Sequence, residues 1–298
     1  MRLRSSERFY SIKRYIYLFR MYRFVNGVLD RKAEECDGVP EGRLPDGNRK
    51  VLVITIAFNN EVVLKHQIQY MRKFWKDGER EYLIADNSPL KERQDVIREL
   101  CRKEGIPYLL LPRDARIDRI SGSFSHGTAV TWLYHNYIKG RNPYIFGFLD
   151  HDIFPVRPFS MEEKMQGMPY YGFREDRGGA WYIWMGLLFM KTGEVSGHHL
   201  NFLPCKVGDE RVYMDTGGSL WYTLFSIKGD AGCRFPERVR VPMFVKGKRH
   251  RDPVDYIDDC WMHTNNGSNW KNIEDKQDLV NEIWQKYEGV IPEEIHFD

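Results

Sequence analysis

Two carboxylates one residue apart close an apolar run: Asp150 and Asp152 follow Tyr144 to Leu149 (YIFGFL), with His151 between them. In an extended segment residues i and i+2 project to the same side. The pair therefore offers the hard oxygen ligands that Mg2+ or Mn2+ takes. Such an ion keeps several waters, binds substrate phosphates and neutralises a departing diphosphate as a Lewis acid. Two further polar clusters close apolar runs. Asn59-Asn60-Glu61 follows Val51 to Phe58 (VLVITIAF), and Asp86-Asn87-Ser88 follows Glu81 to Ala85 (EYLIA). Either cluster alone reads equally well as a turn, since Asn and Asp are turn residues.

What would bring them together is the order of elements. Four short apolar runs, over 51–58, 81–85, 106–111 and 144–149, alternate with segments of helical periodicity over 62–75, 90–104 and 123–137. Strands that alternate with helices imply an α/β fold with a mostly parallel sheet and helices on both faces. Right-handed crossovers then set the strand C-termini, and with them the three clusters, along one ligand-binding edge. After Pro158 the rhythm changes. Tyr170 to Arg174 and the aromatic-rich Ala180 to Met190 read as strands, and Met214 to Ile227 as a helix. Residues 228–270 read as loop with short strands, and Lys271 to Tyr287 as a final helix.

Composition narrows the class. The chain has 298 residues, 42% hydrophobic and 14% aromatic, enough for one large α/β unit. Its net charge of +3 conceals an asymmetry, because residues 1–32 hold nine Lys or Arg against two acids. The remainder is net negative, which excludes the basic face expected of a nucleic-acid-binding body. Residues 7–29 have the pattern of a basic, aromatic, amphipathic helix (Phe9, Ile12, Ile16 and Phe19 at helical spacing). Such a helix suits peripheral attachment to an anionic membrane, or packing on the body. Residues 33–49 read as a linker and 50–298 as the folded domain, divided into 50–158 and 159–298. Five cysteines, with no metal-ligand spacing, fit free thiols in a reducing compartment. With no secretory signal and no apolar run long enough to span a bilayer, the expected location is cytoplasmic, at the inner face of a membrane where the basic helix attaches.

The segments VLVITIAFNNE at 51–61, YLIADNSP at 82–89, the helix after Ser123 and YIFGFLDHDIFP at 144–155 come in a specific order and spacing. In that order residues 50 to about 158 resemble the nucleotide-sugar-binding half of glycosyltransferases with the GT-A (nucleotide-diphospho-sugar transferase-like) fold, near the family 2 pattern. The resemblance implies that Ala57, Phe58, Asn59, Asn60, Asp86 and Asn87 hold the nucleoside. It implies that Asp150 and Asp152 hold the metal and the diphosphate, with His151 at the nucleotide-sugar and His263 (in CWMHTNNGSNW) as a third metal ligand. Asp215, in VYMDTGGSLW, matches the base that deprotonates an acceptor hydroxyl for an inverting displacement. It stands equally well as a helix N-cap. Glu175 and Asp176 are the next acids in line. The chain departs from the family where it has Ser125-His126-Gly127-Thr128-Ala129 followed by Val130-Thr131-Trp132, in place of an Asn and Gly pattern followed by Ala-Arg-Asn. His126 there either approaches the nucleotide or is a plain helix residue. His250, within the basic run 246–251, is a weaker ligand, in a loop that would close over the diphosphate. Trp181, Trp184 and Trp221 offer stacking faces or core.

The resulting expectation is a metal-dependent glycosyltransferase that uses Mn2+ or Mg2+. It would move a sugar from a nucleoside-diphosphate donor to a hydroxyl on a cell-surface polysaccharide or lipid-linked glycan. A nucleotidyltransferase on a similar sheet would carry a Gly-rich basic loop after its first strand, where this chain has Asn59-Asn60-Glu61. A non-catalytic glycan- or membrane-binding relative would have lost the acids that are present here.

Overall fold

A computed structural model describes residues 22–207, 212–250, 253–264, 282–283, 285–286 and 290–297. In chain order the strands are β1 (Glu35–Asp37), β2 (Val51–Ala57), β3 (Arg80–Asp86), β4 (Tyr108–Leu110), β5 (Ile145–Asp150), β6 (Ile153–Pro155), β7 (Tyr170–Arg177) and β8 (Ala180–Lys191). They continue with β9 (Cys205–Val207), β10 (Val212–Met214), β11 (Cys233–Arg234), β12 (Arg238–Val241), β13 (Met243–Val245), β14 (Lys248–Arg249), β15 (Val254–Ile257), β16 (Trp261–His263) and β17 (Ile295–Phe297). The helices that position the site are α1 (residues 22–29), α2 (Glu61–Phe74), α3 (Lys91–Glu104), α4 (Ala115–Asp118) and α5 (Gly122–Leu133).

The central sheet runs β1-β4-β3-β2-β5-β8-β7-β11, and only β1 and β8 run against the rest. This is the mostly parallel, helix-flanked α/β sheet that the alternating pattern predicts. All seven residues of β2 are buried, because helices cover both faces of a parallel sheet. Period two divides them. Leu52, Ile54 and Ile56 pack with α5 and with Val25 and Val28 of α1. Val51 and Val53 pack with Met71, Phe74 and Trp75 of α2 and its C-cap. A second sheet, β12-β15-β16-β6, grows from the chain that leaves β5.

α2 starts where Asn60 accepts a hydrogen bond from the Val63 amide at 3.2 Å, an N-cap. It buries the stripe Val63, Leu64, Gln67, Ile68, Met71 and Phe74. α3 ends at Gly105 in the left-handed conformation, its amide bonded to the carbonyls of Arg102 and Cys101.

Several elements differ from expectation. Residues 35–37 lie in the expected linker, yet they pair with β4 at the sheet edge. The N-terminal helix does not depart in its described part: residues 22–29 follow the second of its two readings and pack on the body, where Val25 and Val28 are buried and Asn136 donates to the Leu29 carbonyl at 3.1 Å. Residues 1–21 lie outside the described residues. The helix expected from Met214 begins later. Met214 ends β10, Asp215 to Ser219 form a turn, and residues 221–225 form a π-helical turn. Gly217 sets this break: its φ is +92°, and a Cβ there would sit 3.0 Å from the Ile183 carbonyl oxygen. The basic run at 246–250 is a tight hairpin between β13 and β14. Of the final helix only 282–283 and 285–286 are described, and they are helical. No helix among the described residues is long and apolar enough to cross a membrane.

Candidate active-site cleft

A cleft of about 610 Å³ opens at the C-terminal edge of the parallel strands. It is lined by Phe58, Asn87, His126, Asp150, His151, Asp152, Trp184, Asp215 and His263 among others. Residues from seven stretches of chain thus meet in one space. Ala57, Asn59, Asn60 and Asp86, also expected to bind the nucleoside, stand outside this lining. Ala57 is the buried end of β2. Asn60 is occupied as the α2 cap. The Asn59 amide donates to Ser88 Oγ at 2.8 Å, with φ +55°. Asp86 turns inward, where it accepts from the Ser88 amide at 2.8 Å and from the Tyr108 hydroxyl at 2.9 Å. Burial pushes the Asp86 carboxyl up, while those two bonds and Arg113 pull it down. Its part is to fix the loop after β3, from which Asn87 reaches the cleft and donates to Ser125 Oγ at 3.2 Å.

One end of the cleft is built by strands. The chain leaves β5 at Asp150, turns through His151 and Asp152, and enters β6. β6 pairs antiparallel with β16, so that His263 lies opposite Ile153. That pairing carries His263 Nε2 to 3.5 Å from Asp152 Oδ2. The Thr264 amide donates to the Asp152 carbonyl at 3.1 Å. Trp184 of β8 packs its ring against His263, with centroids 4.9 Å apart. Burial disfavours the His263 imidazolium, but Asp152 beside it, with Asp150 and Asp255, offsets this and leaves its pKa raised. Burial also raises the Asp150 carboxyl; His126, at 3.6 Å, works against this and Asp152 adds to it. The Nε2 atoms of His126 and His151 are buried without a hydrogen-bond partner.

These donors are carboxylate oxygens and imidazole nitrogens, the set that Mn2+ takes. Among the described residues no group of three or more His, Cys, Asp or Glu side chains is arranged to hold an ion by itself. The set fits an ion whose shell is completed from outside by phosphate oxygens and water, as Mg2+-like ions require.

The other end is built by loops. Arg113, just past β4, donates to Asp118 Oδ2 at 2.7 Å and lies 6.0 Å from the Phe58 ring centroid. Its Nη1 is buried without a hydrogen-bond partner. Arg113 and Asp118 both line the cleft beside Phe58. Unlike Phe58, these two are functional candidates that the sequence reading missed, although the signal was there: Leu111-Pro112-Arg113-Asp114 ends the third apolar run just as the other clusters end theirs.

Asp215 faces the cleft from the turn that replaces the expected helix start. Its Oδ1 accepts from the Thr216 amide at 2.7 Å, and Thr216 Oγ1 ties the turn to the Ser123 carbonyl at 3.0 Å. Glu175 and Asp176 stand outside the lining. Asp176 pairs with Arg174 at the surface, and Glu175 lines a separate 190 Å³ cavity behind Trp184 and His263. Of the three tryptophans only Trp184 lines the cleft. Trp181 and Trp221 pack edge to face, with Trp181 also against Phe225. His250 is not part of the lining. All five cysteines are free thiols.

No family model matches the chain, and no curated protein matches it. Solved structures do overlay on parts of it. TarS of S. aureus is 15% identical over 43% of this chain and 22% of that chain, with a TM-score of 0.29. The galactosyltransferase LgtC, in complex with donor and acceptor sugar analogues, is 14% identical over 47% of this chain and 57% of that chain, at 0.34. The mannosyltransferase PcManGT from Pyrobaculum calidifontis, in complex with GDP-Man and Mn2+, is 12% identical over 59% of this chain and 52% of that chain, at 0.32. The chain thus spans less than two thirds of each of these three.

Proposed function

We propose that this chain is a metal-assisted glycosyltransferase that moves a sugar from a nucleoside-diphosphate donor to a hydroxyl acceptor. The observation that carries the reading is the meeting of Asp150, Asp152, His263, His126 and Asp215 in one cleft at the C-terminal edge of the parallel sheet. Asp152 and His263, with Asp150 beside them, would hold Mn2+ or Mg2+. When bound, the ion supplies Lewis-acid neutralisation of the departing diphosphate. The loop-built end, with Phe58, Asn87, Arg113 and Asp118, takes the nucleoside. The nucleobase ring stacks on Phe58, and the unpartnered Arg113 nitrogen donates to an acceptor atom of the nucleoside. Asp215 accepts the proton of the acceptor hydroxyl, and attack from its side inverts the anomeric centre. The Trp184 face packs against the acceptor sugar, which belongs to a glycan or lipid-linked chain.

A thermal-shift panel of nucleoside diphosphates, each with and without Mn2+, tests this. One nucleotide should raise the melting midpoint far more with Mn2+ than without it, and Asp152→Ala should abolish that Mn2+-dependent part of the rise. Indifference of the parent protein to every nucleotide would sink the proposal.

A further inference from the structure

Gln67 is fully buried at the centre of the apolar stripe of α2. A primary amide in such a place is costly unless its hydrogen bonds are made. Here they are. Its Nε2 donates to the carbonyls of Asp150 at 2.8 Å and Ile153 at 2.7 Å. Its Oε1 accepts from Thr55 Oγ1 at 2.8 Å and from the Tyr82 hydroxyl at 2.9 Å. Two donors and two acceptor sites are all that an amide has, and all are used. The bonding also fixes which atom is nitrogen, because a reversed amide would set its oxygen against two carbonyls.

The two carbonyls bracket His151 and Asp152, the turn between the sheets. One NH2 group therefore clamps both ends of the segment that aims Asp150 and Asp152 into the cleft. Thr55 is placed for this by strand period: it shares the α2-facing side of β2 with Val51 and Val53. The network joins β2, α2 and β3 to the turn; Gln67 and Thr55 in it are fully buried and Tyr82 is partly buried. A glutamine here contributes nothing to the apolar packing that a leucine would not supply, so its bonds to the turn are what distinguish it.

We infer that Gln67 is a positioning residue. It holds the Asp150–Asp152 turn in the geometry that binds a divalent cation with a nucleoside diphosphate. The inference rests on the proposed reading of the cleft. Polar groups one step behind metal ligands typically alter metal affinity by about 10–100-fold when removed, and that range is the expected size for Gln67→Leu.

The experiment titrates Mn2+ by electron paramagnetic resonance in the presence of UDP and, in parallel, GDP. The proteins compared are the parent, Gln67→Leu and Thr55→Val, with melting midpoints and amide hydrogen exchange recorded on each. Gln67→Leu should bind Mn2+ about 10–100-fold more weakly, with faster exchange at residues 151–153. Thr55→Val lowers stability but leaves both carbonyl bonds in place, so its affinity should stay within about threefold of the parent. A folded Gln67→Leu with parental affinity overturns the inference alone. An equal loss in Thr55→Val also overturns it, because the effect would then follow stability and not the clamp. If Gln67→Leu does not fold, Gln67→Asn takes its place, since its shorter side chain cannot span both carbonyls. A parent that binds no Mn2+ with either nucleotide removes the metal-site reading itself, and this inference with it.

Discussion

The two ends of the cleft are made of different material. The Asp152–His263 end is held by a strand pair, by the Thr264 amide and by a clamped turn, and Asp152 is only 6% exposed. The Phe58–Arg113 end is held by loops after β2 and β4 and by the short helix α4, and its principal cation keeps an unpartnered nitrogen. A strand-built wall is pre-organised and suits an ion, which tolerates little misplacement of its ligands. A loop-built wall with spare donors suits a larger ligand that brings its own hydrogen-bonding groups.

Substitutions at the two ends should separate ion binding from nucleoside binding. Asp152→Ala removes a carboxylate from the strand-built end. Sugar transfer should fall by about 10²–10³-fold or more, in a turnover assay on the donor that the thermal-shift panel identifies. His263→Gln should weaken Mn2+ by about 10–100-fold while nucleoside affinity measured without metal is unchanged, by calorimetry. Arg113→Met should do the reverse, costing the nucleoside about tenfold, the size of one charge-assisted bond, with Mn2+ affinity intact. If Arg113→Met and His263→Gln produce the same profile, the two ends are not functionally distinct.

A smaller effect probes the anchoring of the loop-built end. Hydrogen bonds from Arg116, then from its backbone amide, hold the Asp114 carboxyl down to about 2, against the pull of burial. The folded protein thus keeps a charge that the unfolded chain would lose near pH 4. The stabilisation is complete above that pH and disappears as the pH falls towards 2. Asp114→Asn should melt lower than the parent at pH 6, by about 1 kcal/mol or less because Arg116 is largely exposed. The difference should vanish near pH 2.

The strand-built end was the more legible in sequence, but only in part. Asp150 and Asp152 announced themselves because they end an apolar run, and the alternating pattern set the direction of the sheet. His263 entered through family resemblance; what brings it to Asp152 is the β6–β16 pairing, which no local pattern encodes. Gln67 left one trace, a polar residue within an apolar helical stripe, and that trace has meaning only when the carbonyls facing it are known. Asp86 shows the limit of the strand-end signal. It ends a strand as Asp150 does, but Tyr108 and the Ser88 amide turn it inward. Sequence gives the strand end, not which way its side chain faces. The turn at Asp215 escaped because a glycine pair after an acid fits a helix start as well as the tight turn that Gly217 permits.

The short strand β1 has a consequence beyond the cleft. Without it, β4 would present an open ladder of Tyr108, Leu109 and Leu110 to any passing chain. β1 covers that ladder with Glu35, Cys36 and Asp37, and Glu35 is pinned by Arg98 and Lys91. Short, charged outer strands are how sheets avoid sticking to one another. A truncation meant to test membrane attachment must therefore stop at residue 21. One that also removes residues 22–37 would bare an adhesive edge, and the resulting self-association would pellet with vesicles and mimic lipid binding.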